Sequence, residues 1–188
     1  MSGRIVEISV DRIVRAEAAE RGGASRIELC DSLEIGGVTP ALEAMWAARY
    51  YLDGPVFAMV RPRGGDFVYT AKEFEEMRVS IDRARVAGMN GIVLGLLRGD
   101  GGVDVERTAE LVREAAPLPV TFHRAFDESA DLFVALEDVI ATGATRLLTS
   151  GGAGTAPKAV ARIAELVRQA RGRIVVMPGS GITAENVA

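Results

Sequence analysis

The chain has 188 residues, a length typical of a single domain, and the simplest prediction is one domain over residues 1–188. With 22 basic against 26 acidic residues, the surface is mildly acidic, which argues against nucleic acid or anionic lipid as a partner. Met1–Arg4 lacks the apolar core of a signal peptide, and no apolar run approaches the roughly 20 residues of a membrane span, so the sequence predicts a cytoplasmic protein without a membrane partner.

Apolar strand-like runs alternate along the chain with amphipathic helical runs, and each repeat resembles one βα unit. This alternation predicts a parallel sheet. The predicted strands are 5–8, 26–30, 56–60, 91–95, a fifth starting at 120, 146–149 and 174–177. The predicted helices are 11–21, 40–51, 70–87, one starting at 104, 130–142, 156–171 and one starting at 183. Their predicted N-caps include Asp11, Thr39 before Pro40, Thr70 with Glu73 as a capping box, and Asp104.

Seven nearly all-apolar strands with no reversal of the pattern favour a TIM (βα)8 barrel over an open Rossmann sheet. A Rossmann fold requires GxGxxG after its first strand, where this chain has Ser9-Val10-Asp11. A complete barrel has an eighth strand and typically about 250 residues, so the sequence predicts a barrel truncated after strand 7. An open apolar edge at strands 1 and 7 predicts a homodimer, a higher homo-oligomer or a poorly soluble protein.

The stretch Val120–Asp127 combines proton-transfer and anion-binding groups at the end of a strand. It contains His123, the only histidine of the chain, followed by Arg124 and Asp127. Such a cluster is typical of a catalytic site, and His123 is predicted to be its acid/base. The alternatives are a histidine satisfied by a backbone carbonyl, and an aspartate that orients the imidazole or caps the next helix.

Two glutamates, Glu7 and Glu28, interrupt otherwise apolar strands. Side chains alternate between the faces of a strand, so both glutamates are predicted to converge with Arg61 and His123 at the carboxyl ends of the strands, where barrel enzymes have their sites. An ionised glutamate in such a strand requires nearby cations. The pair is therefore predicted to serve as catalytic acid/base groups or metal ligands, with a structural ion-pair girdle as the alternative.

Arginines and glycines follow several of the predicted strands, as in sites that bind phosphate or carboxylate. The alternative for these segments is plain turns and loop punctuation. The predicted substrate-binding residues are Arg61, Arg63, Asp66, Arg124, Ser150, Gly151, Gly179 and Gly181. Cys30, the only cysteine, is either a small buried hydrophobe or a soft metal ligand, and it excludes an internal disulfide and a CxxC zinc cluster.

Five motifs follow one another in order and at suitable spacings: Ile27-Glu28-Leu29-Cys30, Gly36-Gly37-Val38-Thr39-Pro40, Arg61 to Tyr69, Val120 to Asp127, and Leu147 to Gly151. Together they closely resemble the CutC family, often called copper homeostasis proteins. The resemblance implies a cytoplasmic TIM barrel that forms oligomers and handles copper, with Cys30 as the one cysteine for a metal. In that family Glu7, Glu28, Arg61, Arg63, His123, Arg124 and Asp127 lie in signature motifs.

Two hypotheses for the function follow. The resemblance implies a part in copper homeostasis, by copper binding or trafficking. The residues favour an alternative, an enzyme acting on a small anionic substrate, phosphorylated or carboxylated, with His123 as the acid/base and the arginines binding the anion. The arginines distinguish the two, because a Cu(I) carrier has no need of three guanidinium groups at its mouth.

Overall fold

The structure is a computed structural model that describes residues 5–187. The Met1–Arg4 segment, on which the signal-peptide prediction rests, lies outside the described residues. Strands and helices alternate through the described part, as predicted, except that residues 184–186 form a turn where a helix was predicted to start at 183. The strands are β1 Glu7–Val10, β2 Arg26–Leu29, β3 Val56–Met59, β4 Gly91–Leu94, β5 Val120–Phe122, β6 Arg146–Thr149 and β7 Val175–Pro178. The α-helices are α1 Ile13–Arg21, α2 Leu42–Tyr51, α3 Ala71–Val86, α4 Val105–Ala115, α5 Leu132–Ala141 and α6 Val160–Ala170, with short 3-10 helices at Leu33–Ile35, Arg124–Glu128 and Ala156–Ala159.

The chain forms two compact units. The first comprises the described residues up to Asp66, together with Thr70–Leu94 and Glu114–Pro119. Its strands β1 to β4 pair in parallel in chain order, as βα repeats require. All residues of β2, β3 and β4 are buried, which explains why these strands are continuous apolar runs broken only by Arg26 and Glu28.

The second unit comprises Phe67–Tyr69, Gly95–Arg113 and the chain from Val120 onward. Strands β5, β6 and β7 pair in parallel in chain order. A hydrophobic core lies between these strands and their helices, and its fully buried large side chains are Phe122, Phe126, Leu136, Leu147 and Leu166. In β7, by contrast, Val175 is 60% exposed.

Two predicted helix starts are confirmed. Thr70 and Glu73 form a complete capping box at α3: the Thr70 hydroxyl accepts from the Glu73 backbone N–H, and the Glu73 carboxylate accepts from the Thr70 N–H at 2.8 Å. Asp104 accepts from the Arg107 N–H at 3.2 Å at the start of α4. No helix among residues 5–187 combines the length and apolar character needed to cross a bilayer.

Two predicted caps are wrong. The N-cap of α1 is Arg12, and Asp11 instead pairs with Arg15 at 2.8 Å. Helix α2 begins at Leu42 after Ala41. The Thr39 hydroxyl lies instead between two backbone groups of one residue, accepting from the Arg61 N–H at 2.9 Å and donating to the Arg61 carbonyl at 3.1 Å. The Thr39 hydroxyl therefore bonds to the backbone of Arg61 and does not cap α2. This is possible because a threonine hydroxyl can bond to the backbone of another segment as well as to the N–H groups at a helix start.

Candidate functional site

Glu7 forms a buried ion pair in the first unit. It is the first residue of β1 and lies opposite Arg26, the first residue of β2, whose guanidinium contacts the Glu7 carboxylate. The same guanidinium lies 4.5 Å from the centroid of the Phe57 ring. The predicted placement of Glu7 at a strand's carboxyl end is wrong, because β1 begins at Glu7 and not at Ile5. The contacts of Glu7 match those of a structural ion pair at the amino ends of β1 and β2.

Glu28 is the second buried carboxyl group of this unit. It lies within β2 opposite Ser9 and Phe57, and its Oε1 accepts from the Ser9 hydroxyl at 2.7 Å. Its Oε2 is buried and has no hydrogen-bond partner among the described residues. Burial, followed by the negative charge of Glu7, raises the pKa of Glu28 to about 7, against the opposing effects of Ser9 and Arg26. A carboxyl group with this pKa can give or take a proton near neutral pH.

Cys30 follows β2 and is buried against Phe57, Met59 and Val93. Its thiol donates to the Val10 carbonyl, with 3.4 Å between Sγ and the oxygen. Burial, followed by the negative charge of Glu28, raises the pKa of Cys30 to about 12, so the sulfur is a thiol at neutral pH. Within residues 5–187 no three or more His, Cys, Asp or Glu side chains are grouped so as to hold a metal ion.

Arg61 and its neighbour Arg63 hold loops together. The buried guanidinium of Arg61 donates to three backbone carbonyls: Nη1 to those of Ile35 and Gly37, at 3.1 and 3.0 Å, and Nη2 to that of Gly65, at 2.9 Å. This network ties the loop after β2 to the loop after β3. The structure therefore places Arg61 where its charge orders the backbone around the strand ends.

Arg63 is half-exposed and binds two carboxylates of the first unit. Its Nε donates to Glu73 Oε1 at 2.6 Å, and its Nη2 donates to Asp66 Oδ1 at 3.0 Å. Glu73 also belongs to the capping box of α3, so the arginine joins the loop after β3 to the first turn of that helix. Asp66, predicted to bind substrate, is mostly exposed and is a partner of this arginine.

His123 lies directly after β5 in the second unit and is buried. Its Nδ1 accepts from the Ala125 N–H at 3.2 Å, so the ring caps the 3-10 helix Arg124–Glu128. The Phe67 ring packs on the imidazole with their centroids 5.1 Å apart. Gly95 lies on another side, where an added Cβ would be 2.5 Å from Nδ1.

Asp127 is the centre of a polar network in the second unit. Its carboxylate accepts from the Thr149 hydroxyl at 2.5 Å, the Ser150 N–H at 2.9 Å and the Gly152 N–H at 3.0 Å. It also accepts from the Ser150 hydroxyl and from Arg124 Nε, each at 2.9 Å. Although burial alone raises the pKa of Asp127, these hydrogen bonds outweigh it and lower the pKa below its ordinary value. The carboxylate therefore organises the loop after β6, and it neither orients the imidazole nor caps α5, whose cap is Asp131.

Arg124 is oriented by this network. Its Nε donates to Asp127 and its Nη2 donates to the Ser150 hydroxyl at 3.1 Å, while Nη1 has no hydrogen-bond partner among the described residues. The side chain is 40% exposed. A guanidinium held on one edge and exposed on the other presents preorganised donors to an anion.

The predicted glycine loops of the second unit pack on each other. Gly151 and Gly181 both have positive φ, at 71° and 70°. The Gly151 N–H donates to Thr149 Oγ1 at 2.8 Å, and the Gly179 N–H donates to the Thr149 carbonyl at 2.9 Å. The N–H groups of Ser150 and Gly152, by contrast, already surround an anion, the carboxylate of Asp127.

Sequence reasoning missed three residues around His123 and Asp127, namely Gly95, Phe67 and Thr149. Phe67 and Thr149 belong to motifs that were recognised, yet apolar or hydroxyl side chains carry no signal of their own for a site. Gly95 is the last residue of the predicted fourth strand. A glycine at the end of a strand can either leave room for a neighbouring side chain or form a turn, and the sequence does not distinguish these two roles. Only the spatial neighbours reveal what these three residues do.

Comparison with known proteins gives consistent results. The family profile described as the CutC family matches residues 4–188. A CutC family protein of Chromobacterium violaceum is 49% identical over 98% of this chain and 75% of its own length. The human protein named copper homeostasis protein cutC homolog is 46% identical over 99% of this chain and 68% of its own length.

Among solved structures, the CutC protein of Streptococcus agalactiae superposes with a TM-score of 0.90 at 33% identity, covering 97% of this chain and 90% of that one. With the seven parallel strands and their intervening helices, this similarity confirms the predicted α/β fold of the TIM-barrel type.

Proposed function

The chain belongs to the CutC family, and from this premise we propose that it takes part in copper homeostasis. The human and mouse relatives, 46% and 47% identical, are both named copper homeostasis protein cutC homolog, and this supports the proposal. We further propose that the protein acts in the cytoplasm as a homodimer or higher homo-oligomer. The exposed side chain of Val175 in β7 supports the proposal of a homo-oligomer, since an exposed apolar strand favours association with another chain.

The described residues fit a direct copper site poorly. Cu(I) prefers soft sulfur ligands, and the chain has one thiol, whose proton is retained up to high pH and whose hydrogen bond to Val10 would be lost on binding. The thioether of Met59 packs in the same hydrophobic cluster as Cys30. We therefore propose that the protein serves copper homeostasis without binding copper itself. We assign the candidate site of the protein to a different ligand.

We propose that this ligand is a small anion, phosphorylated or carboxylated, and that the protein acts on it as an enzyme. The observation that carries the proposal is the orientation of Arg124, the residue that follows His123 in the chain, by Asp127 and Ser150. An arginine fixed in this way loses little conformational entropy when it binds an anion. We propose that His123, which follows β5 and precedes Arg124 in the chain, supplies a polar group to the bound anion.

Thermal unfolding in the presence of inorganic phosphate or malonate tests anion binding at Arg124. We expect either anion to raise the Tm of the wild type in a saturable way, and Arg124→Met to abolish the increase. Arg85→Met is the matched control, because Arg85 is 39% exposed and also pairs with an aspartate three residues away. Equal responses of the wild type and Arg124→Met to both anions would rule out this site.

An anaerobic Cu(I) competition titration of the wild type and Cys30→Ser tests direct copper binding. Because the thiol is buried and protonated, we expect binding no tighter than that of a bare surface thiol, with no more than a small difference between the two proteins. Tight, stoichiometric binding that is lost in Cys30→Ser would instead establish Cys30 as a ligand and make copper binding the function.

A further inference from the structure

We infer that His123 is a neutral imidazole that carries its proton on Nε2, and that Gly95 is the positioning residue that makes this state possible. The inference deepens the proposed function, on which it rests for its ligand. It makes His123 a group that can donate a hydrogen bond at Nε2 and cannot accept one there, a more specific role than that of a general acid/base.

The ring's protonation state follows from its hydrogen bond to the backbone. The Ala125 N–H points at Nδ1, with 3.2 Å between the nitrogens, and a backbone N–H can only donate. Nδ1 must therefore offer its lone pair, so the neutral ring has its hydrogen on Nε2. Adding a second proton would place two N–H groups against each other and break the cap of the 3-10 helix Arg124–Glu128.

The ring's position follows from the missing side chain of Gly95. A Cβ at this residue would lie 2.5 Å from His123 Nδ1, 2.7 Å from Cε1 and 3.1 Å from the Ala125 Cβ. The φ of Gly95 lies outside the left-handed region, so the backbone itself does not require glycine. The glycine is needed for the space that it leaves, and the imidazole occupies that space.

The remaining contacts also restrict the ring. Phe67 packs on it at a centroid distance of 5.1 Å, and the side chain is buried. Gly95, Phe67 and the Ala125 N–H each restrict the orientation of the imidazole, and the Ala125 N–H favours one tautomer. A donor that is held in place before the ligand arrives stabilises negative charge without reorganisation, as in an oxyanion hole.

The chain's single histidine allows a direct test on untagged protein labelled with ¹⁵N-histidine. Long-range ¹H–¹⁵N correlation at pH 7.5 then shows one pair of ring nitrogens. We expect an unprotonated Nδ1 and a protonated Nε2 in the wild type. The opposite tautomer or an imidazolium would overturn the inference, and this measurement requires no variant to fold.

Gly95→Ala tests the positioning role. We expect a folded protein by circular dichroism in which the ring nitrogens show mixed tautomers, and in which the apparent Kd for phosphate or malonate rises about tenfold or more, as expected for one lost hydrogen bond to a charged group. Gly91→Ala is the matched control, since its Cβ would lie equally close, 2.5 Å, to the Phe57 ring and not to His123. Wild-type ring signals in Gly95→Ala would contradict the role of Gly95.

The outcomes separate this inference from the proposed function. An Nε2–H ring in a protein that binds neither anion would refute the proposed ligand while the ring state stands. Anion binding that depends on Arg124, together with an Nδ1–H ring, would refute the role of His123 while the proposed function stands.

Discussion

Replacing Asp127 by alanine is expected to lower the free energy of unfolding by about 3 to 5 kcal/mol, the range for removing one partner of a buried charged network. The carboxylate accepts five different donors, and the variant leaves the Thr149 hydroxyl and the N–H groups of Ser150 and Gly152 without their acceptor. Each unsatisfied buried donor costs about 1 to 3 kcal/mol. Urea denaturation at pH 7 measures the loss.

The same variant should respond to added anions. Without the Asp127 side chain, the loop after β6 still presents its donors and Arg124 to a space of carboxylate size, so acetate or formate should restore part of the lost stability. Asp131→Ala is the matched control: Asp131 caps α5 through the N–H groups of Phe133 and Val134 and is solvent-exposed. We expect it to cost about 1 kcal/mol, with no rescue by acetate. If both variants lost the same free energy of unfolding and acetate restored neither, the loop after β6 would not be an anion-binding site.

The contribution of Asp127 also has a defined pH range. The pKa of Asp127 is lower in the folded than in the unfolded protein. Between these two pKa values, the folded state therefore binds fewer protons than the unfolded state. The stabilisation is therefore fully present above the unfolded value of about 4 and is lost as pH falls through the folded pKa. Asp127→Asn, which does not titrate, should lack this acid-dependent loss.

Glu28→Gln is expected to stabilise the protein at pH 8 by up to about 3 kcal/mol, the equivalent of the pKa difference. The pKa of Glu28 rises from 4.5 to about 7 on folding, so between these values the folded state holds a proton that the unfolded state has lost. Stability therefore decreases as pH rises from about 4.5 to 7, and the lost stability is not regained above pH 7. Glutamine fills the same space without ionising, so the variant should not lose stability in this way.

The measurement is a series of urea titrations of wild type and variant from pH 4 to 8. We expect similar stabilities at pH 4, where the carboxyl is protonated in both states, and a growing advantage of the variant up to pH 7. Glu7→Gln serves as the opposite control, because it removes the carboxylate that contacts the buried Arg26 and should destabilise the protein at pH 8. Parallel stability curves for wild type and Glu28→Gln would show that Glu28 does not titrate near neutral pH.

The features that were predictable from the sequence depend on local patterns. The alternation of strands and helices follows from hydrophobic periodicity, and the capping box at Thr70 depends on two residues three positions apart. The chemical character of Val120–Asp127 was visible because His123 is unique. The family motifs identified the same stretch.

The features that were missed depend on partners far along the chain. Strand β1 starts two residues later than predicted, because its register is set by Arg26, 19 residues from Glu7. Asp127 looked like a partner of the imidazole or a helix cap, but four of its five hydrogen-bond donors lie 22 to 25 residues away along the chain. Periodicity contains no information on which loop will approach a carboxylate, so the roles of Asp127 and Gly95 required coordinates.

The buried state of Cys30 has a practical consequence for studies of the protein's motions. A folded chain whose only thiol is shielded by Phe57, Met59 and Val93 should react slowly with thiol reagents, and each reaction requires a transient opening of the first unit. The rate of labelling thus reports the free energy of that opening, without any engineered probe. Cys30 is therefore an intrinsic probe of local unfolding around β1 and β2.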